Sequence, residues 1–150
     1  MSVYPSDHHE ETDQPFPDPG YHLLTHMVVV VFRQHNVPHL KFAPGASFLM
    51  GSKAHLQVGA ALKAGTLIAN GTEADSIIFT SLTNTSNWGP GSTGASQIGM
   101  RFSDNASPAS SLTYCKLNRA NNAVVVNNTR ITIAHCPYLQ LRAYRNSYFR

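Results

Sequence analysis

Apolar residues in this chain come in short bursts separated by turn residues. Leu40-Lys-Phe42 is followed by the turn Ala43-Pro-Gly-Ala46, then by Ser47-Phe-Leu-Met50 and Gly51. His55-Leu-Gln-Val58, Gly65 to Gly71, Ser76-Ile-Ile-Phe-Thr80 and Gln97 to Phe102 come next. Leu112 to Leu117, Ala123-Val-Val-Val126 and Ile131-Thr-Ile133 complete the series. Each burst is β-branched, aromatic or alternating, and none sustains the 3.6-residue period of a helix. The pattern predicts an all-β protein and excludes ordinary alternation of strand and helix.

The bursts also repeat. Leu112-Thr-Tyr-Cys115-Lys-Leu117 lies over Ile133-Ala-His-Cys136-Pro-Tyr138 at an offset of 21 residues, pairing 112 with 133, 115 with 136 and 117 with 138. A fixed offset carrying two or three short strands is the length of one turn of a parallel β-solenoid. Strands in such a stack lie about 4.8 Å apart. The expected ladder of inward side chains is therefore Leu112, Cys115 and Leu117 beneath Ile133, Cys136 and Tyr138. Asn121, Asn122, Asn127 and Asn128 bracket the strand between the two copies, where asparagine tolerates left-handed backbone at bends.

The chain divides by composition. Residues 1–20 hold Pro5, Pro15, Pro17 and Pro19 among five of the eight acids, which predicts a disordered arm. Residues 21–38 contain Met27-Val-Val-Val-Val-Phe32 and read as an N-terminal strand or irregular cap. Residues 39–150 carry the coils. Charged residues make up 13% of the chain, about half the usual share, and short neutral polar side chains replace them. All eleven Lys and Arg lie beyond the arm and are spread singly, except for Arg142, Arg145 and Arg150 in the tail, so the net charge of +3 describes a solvated surface and no nucleic-acid groove. The longest apolar run is too short for a membrane span, and no leader is evident at the acidic start.

Candidate chemistry is sparse. Beyond the arm the acids are Glu73, Asp75 and Asp104, each in a turn, where turn formation explains them. Paired carboxylates for glycoside hydrolysis are lacking, and Arg101 on its strand reads as a face residue better than as a base. The histidines at 22, 26, 35 and 39 lack the convergent spacing of a zinc site, and no metal or cofactor is expected. Cys115 and Cys136 read as stacked inward thiols with no polar company; a disulfide between adjacent strands is sterically open, although parallel side chains fit it poorly. Trp88, the single tryptophan, sits among glycines in the loop from Asn84 to Gly94. It is the candidate for stacking on a sugar ring, against the plainer reading that it folds back over the core.

Leu40-Lys-Phe-Ala-Pro-Gly-Ala46, Gly65-Thr-Leu-Ile-Ala-Asn-Gly-Thr-Glu-Ala74, Ser76-Ile-Ile-Phe-Thr-Ser81, Ile98-Gly-Met-Arg-Phe102 and Ser111-Leu-Thr-Tyr-Cys-Lys-Leu117 together resemble the N-terminal half of bacterial right-handed parallel β-helix repeat proteins. These are often secreted or surface-attached and share the pectate-lyase-like architecture. The resemblance covers about two-thirds of the chain and rests on the order of the motifs. It implies a right-handed parallel β-helix, a short solenoid of a few coils, truncated relative to the family. It further implies a non-catalytic extracellular or cell-surface scaffold, adhesive or contacting glycans or a surface partner, that self-associates through uncapped coil ends. The alternative it allows is a fragment of a polysaccharide lyase or hydrolase whose catalytic coils lie elsewhere.

Overall fold

A computed structural model describes residues 40–60, 63–83, 87–89, 99–120 and 122–137 with their side chains, together with the backbone of flanking strands. Its strands, in chain order, are β1 (Ser2–Tyr4), β2 (His8–His9), β3 (Gly20–Leu24), β4 (Met27–Val30), β5 (Leu40–Phe42) and β6 (Ala46–Met50). Then follow β7 (His55–Val58), β8 (Leu67–Asn70), β9 (Ile77–Ser81), β10 (Met100–Phe102) and β11 (Ser111–Thr113). The last are β12 (Cys115–Leu117), β13 (Val124–Asn127), β14 (Arg130–Ala134), β15 (Leu141–Tyr144) and β16 (Tyr148–Phe149). Among the described residues there is no helix.

The strands form three parallel sheets. Sheet I runs β1-β3-β6-β9-β12, sheet II runs β15-β13-β10-β7-β4-β2, and sheet III runs β16-β14-β11-β8-β5. From β4 to β14 the chain visits sheets II, III and I in strict rotation. Consecutive strands therefore never pair; each bonds to the strand one circuit earlier, one circuit later or both, with β5 and β12 ending their sheets among the described residues. Parallel sheets must be covered on the face they bury, and here each covers the other two.

Alternation along each strand fills the interior. Phe42, Phe48, Met50, Leu56, Val58, Leu67, Phe79, Met100, Phe102, Leu112 and Val126 point inward and are buried. Their neighbours Ser47, Gln57, Ile78, Arg101, Ser111 and Thr113 face outward and are half-buried. At the centre Phe48 stacks on Phe79 with centroids 4.7 Å apart and planes within 9°, and Phe42 packs tilted against both. Burying one such ring is worth about 2–3 kcal/mol.

The 21-residue register is present in the ladder: Ser111 partners Thr132, Leu112 partners Ile133 and Thr113 partners Ala134. One expectation needs correction. Leu112 to Leu117 is two strands in different sheets, broken at Tyr114, whose φ is +48°. His135 makes the same bend after β14, with φ +54°. Asparagine takes left-handed backbone where the sequence suggested, at Asn122 and Asn128, and Arg119 does so as well. The turn at Pro44-Gly45 is closed by the Ala46 N–H donating to the Ala43 carbonyl at 3.2 Å.

Most of residues 1–20, expected as a disordered arm, lies outside the described residues. Within it, β1 and β2 pair in parallel with β3 and β4. Those two strands, in the segment read as a strand or cap, continue sheets I and II through pairing with β6 and β7.

Candidate functional site

Trp88 is fully buried, as the plainer reading had it, so it is no exposed sugar-stacking platform. Its backbone N–H donates to the Arg119 carbonyl at 3.0 Å, and the indole Nε1–H donates to the Asn118 carbonyl at 2.9 Å. The ring packs tilted against Phe79, with centroids 6.4 Å apart. Its far edge lies against Gly99, where an added Cβ would stand 3.0 Å from the indole carbons. Trp88 thus docks the chain after β9 onto the corner after β12. A large amphipathic ring is used here as an anchor with its one polar atom satisfied.

The sequence-predicted ladder falls into two groups. Leu112 is buried and Ile133 half-buried against the same core, one above the other. Leu117 is buried and partners Phe79 of β9. Tyr138 lies outside the described residues.

Cys115 and Cys136 are both free thiols, the first buried and the second half-buried against the core. Each follows a left-handed corner residue and donates to the carbonyl two positions back, Thr113 at 3.5 Å and Ala134 at 3.3 Å. The same single thiol proton can turn instead to the carbonyl one circuit earlier, that of Ala69 3.2 Å from the Cys115 Sγ and that of Leu112 3.5 Å from the Cys136 Sγ. Ala69 and Leu112 are themselves ladder partners, so the two environments are copies. The thiols also hydrogen-bond to one another. That contact, with burial, pushes the Cys115 thiol up, and the hydrogen bond from Cys115 draws Cys136 down to about 7.

On the outside of the same corners, Tyr114 and His135 stack with centroids 4.5 Å apart and planes within 8°. The repeat places these two rings in register, as 114 and 135, but their pairing was not singled out from sequence. Nor was a polar cluster on the outer face of sheet III, where Asn70 Oδ1 accepts from the Ser111 hydroxyl at 2.8 Å and the Thr113 hydroxyl at 3.1 Å. Glu73, Asp75 and Asp104 are exposed in turns. Among the described residues no three His, Cys, Asp or Glu side chains converge as metal ligands, and no helix is long and apolar enough to cross a membrane.

On sheet II, His55 is half-buried, and burial lowers its pKa. Hydrogen bonding to the Lys53 backbone opposes this shift, and the nearby Arg101 guanidinium adds to it. The folded chain therefore favours the neutral ring, and the unfolded chain binds more protons below the ordinary value of 6.5. Stability is expected to fall as the pH drops through that value. Urea melts from pH 8 to pH 5 should show the slope, and His55→Gln should flatten it.

No protein-family model, curated protein or solved structure matches this chain. Its likeness to β-helix repeat proteins therefore rests on the motifs in the sequence.

Proposed function

We propose that the chain is a right-handed parallel β-helix serving as a non-catalytic scaffold, with the outer face of sheet III as its contact surface for glycans at an extracellular or cell surface. The observation that carries this reading is the strict rotation of strands through three parallel sheets. It turns one side of the molecule into a regular strand face bearing Asn70, Ser111, Thr113 and Thr132. Short hydroxyl and amide groups on a rigid face offer donors and acceptors at strand spacing, at little entropic cost on binding.

The test is a glycan array probed with the wild-type chain and with a Ser111→Arg/Thr113→Arg variant. Binding to at least one glycan class, weakened tenfold or more in the variant, is the expected result; silence across the array overturns the glycan assignment. The same glycans incubated with the chain should release no reducing ends or unsaturated products. Their release overturns the non-catalytic reading.

A further inference from the structure

Cys115 and Cys136 stand apart from the scaffold role, because hydrophobic packing alone would be served by valine or alanine at both corners. The ladder between β11 and β14 and the Tyr114 N–H to Ala134 carbonyl hydrogen bond of 3.1 Å hold the two corners one above the other. Adjacent strands lie about 4.8 Å apart, inside the roughly 4.4–6.8 Å Cα separation a disulfide spans. In the middle of a ladder, parallel side chains would oppose that bond. Cys115 instead opens its strand immediately after a corner, and Cys136 lies outside any strand. The residues just before them, Tyr114 and His135, stack their rings 4.5 Å apart across the two circuits. The thiols differ in access, since Cys115 is fully buried and Cys136 is partly open to solvent.

We propose that the pair is a thiol–disulfide exchange site, with Cys136 as the attacking sulfur, Cys115 as the resolving sulfur and a low-molecular-weight disulfide as the oxidant. Cys136 gives its proton to solvent, and its thiolate attacks one sulfur of the small disulfide. The sulfur–sulfur bond of the oxidant breaks, and the departing thiolate takes up a proton. Cys136 now carries a mixed disulfide. Cys115 then loses its proton and attacks the Cys136 sulfur, expelling the second small thiolate, which is protonated in turn. Two electrons pass from the protein thiols to the oxidant, giving one disulfide between successive circuits and two small thiols. The division of labour follows from access: the half-buried Cys136 can meet a small disulfide, and the fully buried Cys115 cannot.

The experiment treats the reduced full chain with oxidised glutathione and follows intact mass, free-thiol titre and size. The expected product is a monomer two hydrogens lighter, with both thiols lost and both restored by dithiothreitol. Cys115→Ser should stop at a glutathione adduct on residue 136, whereas Cys136→Ser should form neither adduct nor disulfide. A wild-type chain that ends as a stable glutathione adduct, or as disulfide-linked dimers, overturns the proposal. So does a Cys136→Ser variant that reacts as fast as Cys115→Ser. Because the wild-type product alone decides the first point, failure of a variant to fold would not rescue the idea.

Discussion

Trp88→Ala is expected to lower the unfolding free energy by about 3–5 kcal/mol, the range for emptying a buried aromatic site. Domains of this size are commonly stable by only about 5–15 kcal/mol, so the loss is a large fraction of the total and should lower the urea midpoint markedly. The loss has two sources. Removing the indole leaves a cavity against Phe79 and Gly99, and it strips the Asn118 carbonyl of its donor. Trp88→Phe separates them: the ring is kept in large part, the donor is lost, and the cost should fall to about 1–3 kcal/mol. Equilibrium urea denaturation checks both values. A change below about 1 kcal/mol for Trp88→Ala would mean that the indole does not dock the chain as described.

Gly59→Ala is expected to cost about 2–5 kcal/mol through a different mechanism, combining left-handed backbone with overpacking. Gly59 has φ +77°, and a Cβ there would stand 2.8 Å from the Ala106 nitrogen and 2.8 Å from the Asn105 carbonyl carbon. Both contacts are with backbone, which cannot rotate away. The Ser103 Oγ at 2.6 Å can turn aside, so it adds little. The position joins β7 to the turn that follows β10, one circuit later. Substitution should therefore disturb the register of sheet II, seen as loss of amide protection in β7 and β10 by hydrogen exchange. Gly45→Ala, also at positive φ but with its nearest atom 3.7 Å away, is the control and should cost only the backbone component of about 1–2 kcal/mol.

Much of the architecture was legible because it was written as repetition. The bursts His55–Val58 and Leu40–Phe42 are strands with the bounds read from alternation, and the pairing of 112 with 133 is the ladder that the offset suggested. The break at Tyr114 was hidden, because tyrosine favours extended strands and nothing local announces a left-handed corner. It becomes visible only when Cys115 must turn into a different sheet from Leu112. Trp88 folds back over the core, as the plainer reading had it, but its partners could not be read from the sequence. Its glycine-rich neighbours read as an exposed loop, whereas its burial depends on Asn118 and Arg119, thirty residues further on and one circuit away. The polar cluster at Asn70 depends on the same kind of distant juxtaposition.

The rotation through three sheets has a kinetic consequence. No described strand is completed by the residues that immediately follow it, as a hairpin strand is, since its partners lie one circuit earlier or later in the chain. Growth must then proceed by accretion, each newly laid strand using the previous circuit as a template and offering a raw edge to the next. Such long-range parallel pairing is slow to nucleate, and the unfinished edge is open to the wrong chain. Polypeptide emerging from a ribosome presents its circuits in the order in which they stack. Dilution from denaturant presents them all at once, so refolding yield should depend on protein concentration in a way that vectorial synthesis avoids.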